Sequence, residues 1–392
     1  MAFDRNTEPQ LELRDIQGDS VVGLQKDFEW FVFFEISDVA KFKDFAGKAL
    51  LPRISTAAKV LEWEFAIAAH KNAHQAHKLD LIGVNVGFSK PGLEKLKLPD
   101  LDKIEDAAFA QGLAGRSQML NDPKQGPNSA QNWKVGGPNN TPDGVILITG
   151  PTQASVDLVH KAVTDAAATS GWKVTYEERG MTREFDRGHE HFGFLDGVSQ
   201  PSVRGRIDQV FPDRKFLQKN QNPDDPNQGL PGADLIWPGE FVFGYPGQDP
   251  ADPETPGKPV SGGPDWLKNG SLMAFRRLNQ FVPEFNSFVE DTADKLGMDS
   301  DLFAARMVGR WKSGAPISIT PQQDDPQLGA DEMSNNDFDF DNDPRGRRCP
   351  FAAHIRKAYP RNDITPAAKA TSEFERREES EAKPESNQDG SQ

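Results

Sequence analysis

Short apolar runs and one alternating stretch predict four strands in the first half of the chain. Phe28–Phe34, Leu81–Phe88 and Val145–Thr149 are apolar and bounded by polar residues, which is typical of buried strands. Residues 172–176 instead alternate, with Trp172, Val174 and Tyr176 separated by polar residues, as in a half-exposed strand.

Helical periodicity lies between these predicted strands. Asp38 offers a cap for a helix that runs to about Leu50, and a second helical stretch covers roughly Ile54–His74. A short polar helix includes Ala107–Gly115, and Thr152 caps a helix with a valine- and alanine-rich face. The order β-α-β, a helical insertion, then β-α-β is the pattern of a ferredoxin-like α+β domain.

The second half contains fewer elements and longer Pro/Gly/Asn/Asp loops. Its two strand candidates are Glu240–Tyr245 and Ser271–Leu278, and its helices are predicted at Val282–Leu296 and Ser300–Gly309. These elements are numerous enough for a second domain similar to the first.

The length of the chain indicates more than one domain. A chain of 392 residues is long enough for two domains, which we place at residues 1–185 and 186–370. Residues 371–392 contain one aromatic residue, Phe374, among Glu, Arg, Ser and Gln, and are therefore predicted to be a disordered tail.

Composition excludes several classes of partner. A net charge of −15 argues against binding to nucleic acid or to an anionic membrane surface. Cys349 is the one cysteine, so an internal disulfide framework is excluded. Residues 1–8 carry charges where a signal peptide needs an apolar region, and no run is long enough to span a bilayer. We expect a cytoplasmic protein, and an oligomer is compatible with these features.

Near the middle of the chain, one carboxylate stands between residues that tolerate positive φ. Asp196 lies between Gly193 and Gly197, with the apolar residues Phe194 and Leu195 beside it. This setting suggests a carboxylate aimed at a partly shielded target. A simple turn in which the aspartate caps its own backbone fits the same pattern.

A second candidate is His354, which follows the small apolar segment Phe351-Ala-Ala. Small residues leave room above an imidazole, as an iron-ligating histidine requires. A core histidine that donates to a backbone carbonyl is the commoner reading of a lone histidine.

Two further patterns suggest metals only weakly. His189 and His191 are metal-ligand types, but in a strand Glu190 would face the opposite side and no third ligand is evident. The acidic run Asp337–Asp343 lacks the glycine and the final glutamate of a calcium-binding EF-hand loop, which favours a solvated loop that balances the basic run Arg345–Arg348.

Arginines beside apolar runs raise a related question. Arg276, Arg277 and Arg310 each need a carboxylate partner if they are buried. A haem propionate and an ordinary internal salt bridge are equally good candidates for that partner.

Taken together, these residues resemble the dye-decolourising peroxidase family, over residues 15–379. Gly193-Phe-Leu-Asp-Gly197 with Val-Ser-Gln-Pro201 is similar to the family's distal motif, and Arg348–Lys357 is similar to its proximal haem-ligand segment. Three framework segments also resemble the family: Gly239–Pro246, Asn269–Arg277 and Val308–Pro316.

The resemblance implies a fold and an activity. It implies two ferredoxin-like domains of the dimeric α+β barrel type, with antiparallel sheets, peripheral helices and b-type haem (heme b) held mainly by the second domain. His354 is then the axial iron ligand, and Asp196 is the distal acid and base for hydrogen peroxide. Dyes, phenols or similar donors are the implied substrates, with Trp311, Tyr245 and Tyr359 as candidate surface relays. Gly193, Phe194, Gly197 and Arg310 complete the implied cofactor pocket.

One departure from the family pattern yields a competing expectation. The family places a distal arginine after the proximal histidine, in a strand that reads roughly Arg-Arg-Gly-Ile-Pro-Tyr-Gly. Arg376-Arg377 is followed here by Glu-Glu-Ser and does not match. A haem-binding protein with reduced or no turnover is therefore the alternative, because a distal cation stabilises developing negative charge. A metal-binding interaction domain that uses His189 and His191 is a third hypothesis.

Overall fold

The computed structural model describes residues 8–24, 27–74, 78–205, 221–222, 228–249, 251 and 255–362. By its internal contacts the chain divides into two compact units. The first unit comprises residues 1–182, 203–226 and 235–278, and the second comprises residues 183–202, 227–234 and 279–392. The chain first passes from one unit to the other between Thr182 and Arg183, close to the predicted domain boundary after residue 185. The domain assignment itself stays a prediction, and the predicted tail at 371–392 lies outside the described residues.

A four-stranded antiparallel sheet forms the centre of the first unit. Its strand order is β2-β3-β1-β4, with β1 hydrogen-bonded to both β3 and β4. This is the order of a ferredoxin-like sheet, so the predicted β-α-β pattern of the first half is confirmed. The four strands are β1 (Phe28–Ile36), β2 (Gly83–Phe88), β3 (Gly144–Gly150) and β4 (Trp172–Met181).

Side-chain caps begin the helices of this unit where the sequence predicts them. The carboxylate of Asp38 accepts the N–H of Lys41, and the hydroxyl of Thr152 accepts the N–H of Ser155. The helices are α1 (Val39–Phe45), α2 (Ala57–Asn72), α3 (Lys90–Leu96), α4 (Ala107–Gly115) and α5 (Gln153–Asp165).

Each face of the sheet is covered differently. One face packs Val32, Phe34 and Ile148 with Val156 of α5 in the largest apolar cluster. On the other face Phe33 contacts Phe275, with ring centroids 5.0 Å apart. The alternation of strand side chains produces these two layers.

Beyond the sheet, the described residues form mostly helices and short strand pairs. The strands β5 (Ser202–Val203) and β6 (Leu235–Ile236) make one pair, and β7 (Pro246–Gln248) and β8 (Pro256–Pro259) make another. The remaining helices are α6 (Val282–Leu296), α7 (Ser300–Val308), α8 (Pro326–Ala330) and α9 (His354–Ala358). The bounds of α6 match the prediction, and those of α7 match within one residue.

Both strand predictions in the second half are wrong. Val242 and Tyr245 are three positions apart and both enter one apolar cluster, whereas a strand would point them to opposite faces. Residues 271–278 find no strand partner within the described ranges, although Phe275 packs on the sheet. The α+β class with antiparallel sheets is confirmed, but the described residues do not form a second ferredoxin-like sheet.

Among the described residues, none of the helices is both long and apolar enough to cross a bilayer.

Candidate functional site

The loop that carries Asp196 turns at two glycines. Gly193 and Gly197 have φ of 98° and 73°, so the predicted need for positive φ on both sides is confirmed. Asp196 is exposed, and its Oδ1 accepts the N–H of Gly197 at 2.7 Å. The N–H of Asp196 donates to the carbonyl of Gly188 at 2.8 Å. The self-capping turn and the presented carboxylate are therefore both present in one geometry.

Glu190 organises this loop from within. Its carboxylate accepts the N–H groups of Phe192 and Phe194 at 2.8 and 2.9 Å. The side-chain amide of Gln280 donates to the same carboxylate at 2.7 Å, and the Glu190 carbonyl accepts the N–H of Gly193 at 2.9 Å. Glu190 therefore fixes the backbone that leads into Asp196.

Two phenylalanines anchor the loop to the helices. Phe194 is buried with Val289 of α6 and Ala304 of α7, and Phe192 stacks against Phe285 with ring centroids 4.5 Å apart. The predicted shielding by aromatic neighbours is present on one side of the loop, while Asp196 itself faces outward.

The zinc interpretation of His189 and His191 is wrong for the described residues. No group of three or more His, Cys, Asp or Glu side chains is placed there to hold a metal ion. His189 forms an isolated bridge with Leu195 rather than part of a strand, and the carboxylate of Glu190 is occupied by backbone N–H groups.

His354 is the first residue of α9. Its side chain is exposed and makes no hydrogen bond with any described residue, so the alternative of a core histidine is wrong. Ala353 and Ile355 on either side are buried, whereas Phe351 is 37% exposed. The imidazole thus stands free on a helix whose other side is packed.

A buried ion pair fixes α9. The Arg356 guanidinium donates from Nη2 to the Oδ2 and to the backbone carbonyl of Asp343, both at 3.1 Å. It also lies over the rings of Phe340 and Phe351, at 4.0 and 4.9 Å from their centroids. The helix is tied to the core by a side chain that points away from solvent.

Asp343 also orders the turn that precedes the histidine segment. Its carboxylate accepts the N–H groups of Arg347 at 2.7 Å, Arg348 at 3.2 Å and Cys349 at 2.9 Å. The acidic run is therefore not simply a solvated loop, because Asp343 is 5% exposed and bonded on several sides.

Arg310 is buried, and no counter-ion for it lies among the described residues. It donates to the carbonyls of Gly314 and Asn335, to the hydroxyl of Ser199 at 3.1 Å and to Oδ1 of Asn336 at 2.8 Å. In the part of the chain that the structure describes, no carboxylate lies within salt-bridge distance of it. Burial lowers the pKa of Arg310 to about 9, with a further contribution from nearby Arg361.

Arg361 converges on the same acceptors. Its Nη2 donates to Ser199 Oγ at 3.3 Å and to Asn336 Oδ1, and its guanidinium lies 3.9 Å from the Phe338 ring centroid. Burial lowers its pKa to about 10. Within the described ranges, Arg361 has no carboxylate partner either, and its Nε is buried without a hydrogen bond. Two guanidinium groups thus share one amide oxygen.

Arg276 and Arg277 form ordinary salt bridges with carboxylates of the same chain. Arg276 pairs with Asp122, and Arg277 pairs with Glu178 at 2.5 Å, all in the first unit. For these two, salt bridges within the chain are confirmed, although both arginines are exposed rather than buried.

Two of the three candidate relay aromatics are buried. Trp311 and Tyr245 are 4% and 6% exposed, and Tyr359 is half-buried. Burial raises the pKa of Tyr359, whose hydroxyl accepts the N–H of Asp234 at 2.9 Å. The selection of Trp311 and Tyr245 as surface relays is therefore wrong, whereas Tyr359 is partly exposed.

Comparison with known proteins fits these motifs. Residues 15–184 match the model of the DyP dimeric alpha+beta barrel domain. The chain is 35% identical to peroxidase 2 of Mycetinis scorodonius over 91% of its own length and 61% of that protein. A mutant structure of the dye-decolorizing peroxidase from Pleurotus ostreatus superimposes with a TM-score of 0.75 at 36% identity, over 92% of this chain and 72% of that one.

A further solved relative carries a ligand. It is a dye-decolorizing peroxidase in complex with 2,6-dimethoxyphenol, 33% identical, with a TM-score of 0.68 over 90% of this chain and 71% of that one. These matches show that the chain belongs to the dye-decolourising peroxidase family. It spans 61% of the length of peroxidase 2 and 63% of the length of the Mycetinis scorodonius dye-decolorizing peroxidase msp1.

Proposed function

We propose that this chain binds b-type haem (heme b) and belongs to a peroxidase that uses hydrogen peroxide to oxidise dyes, phenols or similar donors. Its relatives are dye-decolorizing peroxidases, one of which has been solved with 2,6-dimethoxyphenol and one with cyanide. Both ligands are of the kind that a haem peroxidase binds, as a donor and as an iron ligand.

The buried pair Arg310 and Arg361 is the observation that carries this proposal. Two desolvated guanidinium groups around Asn336 Oδ1 repel each other, and among the described residues no carboxylate lies within salt-bridge distance of either, although Asp234 acts on Arg361 from farther away. A haem carries carboxylates that could supply the missing negative charge and occupy the free Arg361 Nε. The arrangement therefore fits a cofactor with acidic substituents.

His354 fits the role of axial ligand. Its imidazole is exposed, has no competing hydrogen bond from a described residue, and stands on a helix that is fixed from the opposite side. Bound haem would supply an iron centre for peroxide-dependent redox chemistry, with imidazole donating electron density to the metal.

Asp196 would move the proton. Its carboxylate takes a proton from one oxygen of hydrogen peroxide and returns it to the other, acting first as base and then as acid. Gly193 and Gly197 present the group, and Phe194 fixes the loop in the apolar cluster. Only Oδ1 is engaged by a described residue, so Oδ2 remains available for this exchange.

The test is oxidation of 2,6-dimethoxyphenol by the full chain loaded with haem, with hydrogen peroxide as oxidant. Asp196→Asn should lower turnover by roughly 10²- to 10⁴-fold, because it removes the acid and base. Glu184→Gln removes an exposed carboxylate from the same segment and should leave turnover unchanged.

Three outcomes contradict parts of the proposal. Unchanged turnover in Asp196→Asn contradicts the assigned role of the carboxylate. Haem uptake without oxidation by the wild-type chain leaves a haem-binding protein and contradicts the enzymatic assignment. Failure to take up haem contradicts the proposal as a whole.

A further inference from the structure

Two faces of α9 have opposite environments. His354 and Arg356 are two positions apart, which separates them by about 200° around a helix. The histidine is exposed, whereas the arginine side chain is fully buried against Asp343. The face that holds the helix is thus opposite the face that presents the imidazole.

A helix as short as α9 depends on such an anchor. It has five residues, and Ala353 provides no side-chain cap at its beginning. Isolated helices of this length are unstable in water, so tertiary contacts must hold its direction. Arg356 supplies them through its hydrogen bonds to Asp343 and its packing between Phe340 and Phe351.

Asp343 connects this anchor to the chain entering the helix. The same carboxylate that pairs with Arg356 also accepts three backbone N–H groups from residues 347–349. Moving either partner would therefore shift both the turn and the helix that carry His354.

We propose that Asp343 and Arg356 are positioning residues that set the direction of the His354 imidazole toward the iron. This inference rests on the proposed function, in which His354 is the axial ligand. Partners that orient a metal ligand typically change metal affinity by roughly 10- to 100-fold when they are replaced. We expect an effect of that size on haem retention.

The chain contains a matched control pair in its first unit. Arg204 and Glu8 also form a buried ion pair, at 2.7 Å, and the Arg204 guanidinium also lies over an aromatic ring, that of Trp237 at 4.6 Å. Glu8→Gln therefore perturbs a pair of the same chemistry that does not belong to the His354 segment.

The experiment compares Asp343→Asn, Arg356→Lys and Glu8→Gln in the full haem-loaded chain. The rate of haem transfer to excess apomyoglobin should rise roughly tenfold or more in the first two variants and remain at the wild-type value in the third. The ferric Soret band should shift in the same two variants, and added imidazole should restore it.

A haem-free readout completes the test. In the apoprotein, hydrogen exchange at the amides of residues 355–359 should accelerate in Asp343→Asn and Arg356→Lys but not in Glu8→Gln. Arg356→Lys keeps the positive charge, so it remains informative if Asp343→Asn does not fold. Wild-type Soret bands and haem-transfer rates in the folded variants overturn the inference while His354→Gly still loses haem. A wild-type chain that takes up no haem overturns the proposed function, and the inference with it.

Discussion

The loop that carries Asp196 and the segment that carries His354 are each ordered by a carboxylate that accepts several backbone N–H groups. Glu190 does this for the loop, is half-buried and pairs with the neutral amide of Gln280. Asp343 does this for the helix segment, is buried and pairs with the cation Arg356. Both segments are thus ordered by a carboxylate that accepts backbone N–H groups, but the two carboxylates differ in burial and in the charge of their side-chain partner.

This difference matches the roles proposed for the two segments. A proton-transferring carboxylate needs access to peroxide, and a loop whose half-buried carboxylate pairs with a neutral amide presents Asp196 to solvent. An axial ligand has to keep one direction, and a buried ion pair holds its backbone at a higher cost of disruption. We therefore expect substitutions in the His354 segment to be tolerated less well than substitutions in the Asp196 loop.

The largest effect is expected for Asp343→Ala. It leaves the buried Arg356 guanidinium without its counter-ion, which should lower the free energy of unfolding by about 3 to 5 kcal/mol. Urea denaturation of the apoprotein measures this change. Asp337→Ala removes an exposed carboxylate from the same acidic run and should change it by less than about 0.5 kcal/mol. Equal losses of unfolding free energy in the two variants would contradict the stabilising role of the buried Asp343–Arg356 pair.

Gly309→Ala should have the second largest effect. Gly309 has φ of 94°, and a Cβ there would lie 2.0 Å from Cγ2 of Ile355 in α9. Backbone strain and overpacking together should cost about 2 to 4 kcal/mol, measured by urea denaturation. Gly197 in the Asp196 loop has φ of 73° but open space around its Cβ position. Gly197→Ala should therefore cost only about 1 to 2 kcal/mol. A larger loss at Gly197 would reverse the comparison.

Glu190→Gln should cost about 1 to 2 kcal/mol. The amide keeps one acceptor oxygen, so one of the N–H groups of Phe192 and Phe194 loses its bond to a charged acceptor. Urea denaturation measures the loss, with Glu184→Gln as the exposed control. A loss as large as that of Asp343→Ala would remove the distinction between the two segments.

Arg361→Met should have the smallest effect on stability but a clear effect on haem affinity. Removal of one of two mutually repelling buried cations should change apoprotein stability by less than about 1 kcal/mol. The same variant should lower haem affinity roughly tenfold, because one charge-assisted contact to a cofactor carboxylate is lost. Haemin titration and urea denaturation of one preparation measure both quantities. Unchanged affinity would contradict the proposed role of the Arg310 and Arg361 pair.

Features with local causes could be predicted from the sequence. The caps at Asp38 and Thr152 act on residues three positions away, and the first sheet follows from apolar runs and one alternating stretch. The positive φ at Gly193 and Gly197 could likewise be predicted, because glycine is the residue that adopts positive φ without steric cost.

Features that depend on distant partners could not be predicted. Asp343 looked like one of several loop carboxylates, and its pairing with Arg356 depends on a fold that brings residues 13 positions apart together. No sequence pattern singled out Arg361. Its interest as a candidate site residue depends on its closeness to Arg310, because both arginines donate to the same Asn336 oxygen. Glu190 stood between two histidines that suggested a metal, which hid its role as an acceptor of backbone N–H groups.

The central claim, that His354 is the ligand of a bound haem, is tested most directly by titrating haemin into the wild-type chain and into His354→Gly. We expect a saturable Soret band in the wild type, its loss in His354→Gly, and its recovery when imidazole is added to that variant. The same Soret band and the same affinity in His354→Gly without imidazole would contradict the claim.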